Sequence, residues 1–217
     1  MRILTGMILF MLMIAPGLAQ TAVERASELK TWREQCSDPD ADLRAAYVEA
    51  AIASGDMAIM RVCVRQSLES DNADIRNLGL RAAIASTDQL LFEVEIPAAL
   101  AEALDKAGND KDELNEIGRW HVTQMWNIMR TGLVFVISDA DITSGASEWL
   151  PLAQMTAPHR NYTGKASVIG DRVTWVGSAR LPVTDCRLNL GLVSGPMLEG
   201  TFQCANVEPF TVRAPLL

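Results

Sequence analysis

Residues 186–204 constrain the fold more than any other stretch of the chain. Cys186 and Cys204 flank a segment with Ser194-Gly195-Pro196 near its middle. Folded as a hairpin about that triplet, the segment sets Cys186 opposite Cys204, Leu188 opposite Phe202, Leu190 opposite Gly200 and Leu192 opposite Leu198. On the other face, Arg187 meets Gln203 and Asn189 meets Thr201. Side chains alternate between the two faces of a strand, so a slip of one residue would reverse every assignment. This register gathers both cysteines and the apolar residues on one face and the polar residues on the other. It therefore predicts a cross-strand Cys186–Cys204 disulfide.

A second hairpin is signalled by Gly170-Asp171, a favoured two-residue turn that joins Ala166–Ile169 to Arg172–Trp175. Leu133–Ile137 and Phe210–Arg213 are further strand candidates. Five or six short antiparallel strands would make a small sheet, sandwich or partial barrel over residues 131–217. Four cysteines allow three pairings. Assigning Cys186–Cys204 leaves Cys36–Cys63, one bridge in each half of the chain. No C-x-x-C motif occurs, so a thioredoxin-type redox role lacks its spacing.

Residues 20–130 have a different character, rich in Ala, Leu and Glu at helical spacing. They contain an internal repeat. Ala41-Asp42-Leu43-Arg44 recurs as Ala73-Asp74-Ile75-Arg76, and Ala50-Ala51-Ile52-Ala53-Ser54 recurs as Ala82-Ala83-Ile84-Ala85-Ser86, both at an offset of 32 residues. Asp56 recurs as Asp88 at the same offset, where each would cap a second helix. Each copy thus reads as helix, turn, helix. The pattern over residues 38–105 resembles the HEAT-like units of α-solenoids, which implies stacked antiparallel hairpins closed by flanking helices. Residues 21–35 and 97–107 are the candidates for those flanks, the latter opened by Pro97. A further helix over 111–129 carries large apolar groups on more than one face and is expected to pack between the halves. The fold class expected is α+β: N-terminal HEAT-like antiparallel helical hairpins (20–130), then a small antiparallel β-sheet or sandwich module (131–217).

The N-terminal segment reads as an export signal. Arg2 precedes an apolar run, Ile8–Ile14, followed by Pro16, Gly17, Leu18 and Ala19. That run is too short to span a bilayer, which needs about 20 residues. Cleavage is expected near Ala19-Gln20, placing the mature chain in an oxidising compartment such as a bacterial periplasm, with no transmembrane segment. Charge is uneven. Residues 20–130 hold 20 acidic and 12 basic residues, whereas 131–217 hold 7 and 6. So acidic a chain is a poor binder of nucleic acid or anionic lipid.

No catalytic motif of the hydrolase, metalloprotease, P-loop or dinucleotide-binding type occurs. His121 and His159, the two histidines, are 38 residues apart. His121 reads as a core or interface residue and His159 as an exposed loop residue. Asp38, Asp40, Asp42 and Glu49 occupy positions 1, 3, 5 and 12 of a calcium loop, but Leu43 stands where that loop requires glycine. These acids read instead as a helix-capping turn. Asp139 and Asp141, with Glu148 nearby, form a carboxylate set that acid/base chemistry could use, or a polar turn. Trp120, Trp126 and Arg130 are candidates for lining a ligand groove between the halves, with Trp149 and Trp175 further on. Asn161-Tyr162-Thr163 is a formal glycosylation sequon. No cofactor or metal is implied. The leading expectation is an exported, non-enzymatic interaction or scaffold protein with a protein partner in the envelope. The alternatives are a small-ligand carrier using the inter-half groove and a carboxylate-dependent hydrolase.

Overall fold

The computed structural model describes residues 21–114, 116–117, 132–152, 163–178, 185–204 and 209–217. The chain opens with four helices: α1 (Ala22–Gln35), α2 (Ala41–Ala53), α3 (Met57–Leu68) and α4 (Ala73–Ala85). Each begins at a residue whose side chain accepts from the free backbone N–H groups of the first turn. Thr21 and Glu24 form a reciprocal capping box for α1. Asp40, Asp56 and Asn72 cap α2, α3 and α4, each accepting from two backbone amides. The 32-residue repeat is visible here, because Asp40 and Asn72 are equivalent positions.

The repeat then breaks. After α4, the second copy does not form its second helix; Gln89–Glu95 is a strand, β1. Asp88 caps nothing, and its carbonyl accepts from the Ile137 amide at 2.8 Å. The physical reason lies in the residues that follow. Leu90, Phe92 and Val94 alternate with Leu91, Glu93 and Glu95 at period 2, and aromatic and branched side chains favour a pleated, half-buried surface. The expected array of HEAT-like hairpins is therefore replaced by one helical hairpin repeat that runs into a sheet.

Helix α5 (Ala98–Ala107) follows β1, and seven further strands complete the fold: β2 (Leu133–Asp141), β3 (Ala146–Leu152), β4 (Gly164–Ile169), β5 (Arg172–Gly177), β6 (Cys186–Leu192), β7 (Met197–Cys204) and β8 (Phe210–Pro215). The strands pair in chain order, all antiparallel, and β8 returns to β1 to close an eight-stranded barrel. This corrects the expected open sheet or sandwich. Closure depends on β1, which supplies the pairing edge for both β2 and β8. Without β1, the strands would end in two open edges, a liability that closure removes.

Both predicted hairpins form in the predicted registers. Cys186 pairs with Cys204 and Leu192 with Leu198 across β6 and β7. Ala166 pairs with Trp175 and Ile169 with Arg172 across β4 and β5. Gly170 adopts a positive φ of 63°, a conformation glycine takes without steric cost, which suits that tight turn. The Cys36–Cys63 and Cys186–Cys204 disulfides are both present. No helix among the described residues is long and apolar enough to cross a membrane.

Aromatic rings fill the barrel. Phe135 sits at their centre, with ring centroids 5.8 Å from Phe92, 5.7 Å from Trp149, 5.0 Å from Trp175 and 6.3 Å from Phe202. The indole N–H groups are satisfied as well: Trp149 donates to the Ser147 hydroxyl and Trp175 to the Trp149 carbonyl. An eight-stranded barrel is just wide enough for side chains to fill. The core continues into the helices through Val64, Leu68, Leu80 and Ile84, so barrel and helical layer share one apolar interior. A smaller cluster of Cys36, Val48, Ala51, Ile59 and Cys63 lies among α1, α2 and α3.

The short turns 142–145, 170–171 and 193–196 all lie at one end of the barrel, as the alternating strand directions require. Helix α4 lies against that end. Arg81 donates to the carbonyl of Thr143 at 2.6 Å, and Asn77 donates to the carbonyl of Gly170 at 2.8 Å. The turn between β2 and β3 is shaped by Asp141, which accepts from the Thr143 amide and the Ser144 hydroxyl.

Candidate functional site

The outer surface of β5, β6 and β7 carries an open groove. Outward positions there are set by the same alternation that sends Val173, Trp175, Leu188 and Leu190 inward. Arg172 pairs with Gly191, and Gly191 pairs with Glu199, so one row across three strands reads cation, glycine, anion. In the next row, Thr174 pairs with Asn189. Asp171, in the turn before β5, joins Arg172 on one wall. The resulting cavity has a volume of about 450 Å³ and is lined by Asp171, Arg172, Thr174, Asn189, Gly191 and Glu199 together with neighbouring backbone.

The missing side chain at Gly191 creates the depression. The walls it separates stand two strand spacings apart, roughly 10 Å. Arg172 and Glu199 are long enough to approach each other over the glycine, yet they do not pair. Within the described residues, no ion pair or side-chain hydrogen bond engages Asp171, Arg172, Thr174, Asn189 or Glu199. The groove therefore offers a guanidinium, two carboxylates, an amide and a hydroxyl, all free to meet a solute. Beyond Glu199 in the same row stands Arg213, whose guanidinium instead lies 3.6 Å from Glu95.

The residues singled out by sequence fall elsewhere. Trp120, His121, Trp126, Arg130 and His159 lie outside the described residues, as do Asn161 and Tyr162. Trp149 and Trp175 are fully buried in the barrel core. Asp139 is exposed, with a positive φ of 49°, at an irregularity in the pairing of β2 with β3. The carboxyl of Asp141 is held below the usual carboxylate range, chiefly by the hydroxyl of Ser144 and then by the amide of Thr143. Its lone pairs are thus already committed to its own turn. Glu148 pairs with Ser138 across β2 and β3. Asp38 and Asp40 accept from backbone amides at the start of α2, and residues 41–53 are helical, so these acids cap a helix. No group of three or more potential metal-ligating side chains occurs among the described residues.

The groove residues were missed in the sequence for an identifiable reason. The hairpin register of β6 and β7 already places Gly191 opposite Glu199. The Arg172–Gly191 pairing joins two different hairpins, and nothing local specifies it.

By architecture, the chain is a disulfide-bonded, closed up-and-down barrel with a packed interior and a helical layer on its short-turn end. Compared with known protein families, curated proteins and solved structures, it matches none.

Proposed function

We propose that the protein is an exported, extracytoplasmic binding module that engages its ligand on the outside of the barrel, at the groove over β5, β6 and β7. The observation that carries this reading is the open row of Arg172, Gly191 and Glu199: opposite charges face each other across a glycine without closing. Two further features support it. The barrel interior around Phe135 is occupied by side chains, so the space that other eight-stranded barrels give to a small ligand is used for packing. Two disulfides suit an oxidising compartment, where export through residues 1–19 would deliver the chain.

Gly191→Leu is the direct test. A Cβ at position 191 would meet nothing nearer than the Glu199 carbonyl at 4.0 Å, so the backbone there has room for a side chain, which would project into the groove. Capture of envelope components after mild cross-linking should recover a ligand or partner with the native protein and lose it with Gly191→Leu. Equal recovery with both proteins would remove the groove from the binding surface. N-terminal sequencing of the protein from the envelope should begin near Gln20.

A further inference from the structure

We infer that the groove over β5, β6 and β7 recognises a ligand carrying one carboxylate and two amines, the chemistry of a basic amino acid or a short basic peptide. The inference rests on the groove being the binding surface. Its polar inventory defines the complement. Among the described residues, Arg172 is the one cation of the lining, and its planar fork suits a carboxylate. Asp171 and Glu199 stand on opposite walls, so each calls for its own cation. Thr174 and Asn189, paired across β5 and β6, close one end with groups that both donate and accept.

Other ligand classes fit less well. A divalent metal needs several oxygens converging at about 2.0–2.6 Å, and the groove brings no third ligating side chain to Asp171 and Glu199 among the described residues. An anion such as phosphate would meet one guanidinium and two carboxylates. Apolar ligands would leave all five polar groups desolvated and unpaired. Size agrees with the charge pattern. A residue in an extended chain spans about 3.3–3.6 Å, so a dipeptide or one long basic side chain bridges walls roughly 10 Å apart. The acidic balance of the chain, −8 overall, draws such cations toward the surface.

The oxidised protein should be titrated by amide NMR with L-lysine and with the dipeptide Lys-Lys, the two arms separating a free amino acid from a peptide terminus. Amide shifts are expected at Asp171–Thr174, Asn189–Leu192 and Glu199–Gly200, with affinity near the millimolar range and weakening as salt rises. Lysine amide, which lacks the carboxylate, should bind about tenfold more weakly to the native protein, yet no more weakly than lysine to Arg172→Gln. Nα-acetyl-lysine should show the same pattern against Asp171→Asn, because the α-amine lies beside the carboxylate on the Arg172 wall, and norleucine, which lacks the ε-amine, against Glu199→Gln. Gly191→Leu should abolish the shifts while retaining the native melting temperature. Blocked and unblocked ligands that differ equally for native and variant proteins would overturn the assignment. So would shifts confined to other surfaces. A flat titration, combined with partner capture that still depends on Gly191, would refute the ligand class alone; capture independent of Gly191 would refute the groove itself.

Discussion

Helix α1 buries none of its own side chains, whereas every strand of the barrel sends alternate side chains into the buried core. Each region contains one disulfide. Cys36–Cys63 closes 27 residues and Cys186–Cys204 closes 18. Loop entropy barely separates them, at about 3.5 and about 3.2 kcal/mol in the chain-entropy account. What differs is the rest of the support. β6 and β7 are aligned by their own ladder and by seven residue pairs. α1 leans on partly buried contacts from Leu29 and Trp32, the Arg25–Asp56 ion pair and the cystine. The same covalent bond is thus redundant with the packing in one region and a principal tether in the other.

The barrel half of that comparison is most exposed to a cavity at its centre. Phe135→Ala should cost about 3–5 kcal/mol in urea unfolding, because a fully buried ring touching four aromatic partners leaves a void that a closed barrel cannot collapse around. A loss below about 1 kcal/mol would mean that the barrel core is looser than its packing implies.

Removing the tethers separates the two regions. Replacing Cys36 and Cys63 with Ala should lower stability by roughly 2–4 kcal/mol and release α1 to rapid hydrogen exchange while barrel amides stay protected. Replacing Cys186 and Cys204 with Ala should lower global stability and keep the protection pattern of β6 and β7. Equal local opening at both sites would show that the two bridges carry the same share of the support.

The contact between the regions comes next in size. Arg81→Met should cost about 1.5–3 kcal/mol, since the guanidinium donates to the Thr143 carbonyl from a partly buried position. Arg81→Lys should recover only part of this, because a single ammonium replaces the planar fork. Separate thermal transitions for helices and barrel in Arg81→Met, measured by far-UV and tryptophan signals, would show that this contact couples them.

The smallest effect is a pH dependence. The Asp56 carboxyl is held below its ordinary value, first by the hydrogen bond from Arg25 and then by the amide of Ile59. A depressed folded-state pKa contributes stability above the unfolded value near 4 and loses it as pH falls through the folded value. Asp56→Asn should therefore flatten the acid limb of the stability curve for α1 exchange. An unchanged acid limb would show that the pair is screened at this exposed position.

Several elements were legible in local pattern. Paired strands reveal themselves when both partners lie on one side of a tight turn, and the registers through Cys186–Cys204 and Ala166–Trp175 both have this form. Helices α1, α2, α3 and α4 were legible from caps and spacing, and α5 from Pro97. β1 was concealed by its place in a repeat whose first copy is helical, although Leu90, Phe92 and Val94 carried the contrary period. The candidate site was half legible: Gly191 and Glu199 share a hairpin, and Arg172 does not.

Sequence alone determined the turns at Gly170-Asp171 and Ser194-Gly195-Pro196, the cap at Asp56, the pairing of the cysteines, and the apolar face of the two hairpins. These follow from interactions within a few residues or across one turn, where backbone sterics and side-chain alternation leave few options. Tertiary structure alone decided that β1 and β8 meet to close the barrel, that Phe135 gathers four aromatic rings, that α4 lies over the short turns, and that Arg172 faces Glu199 across Gly191. Each of these depends on the pairing of residues far apart in the chain. Such a pairing is selected by the collective burial of one core, and no short stretch of residues carries that information.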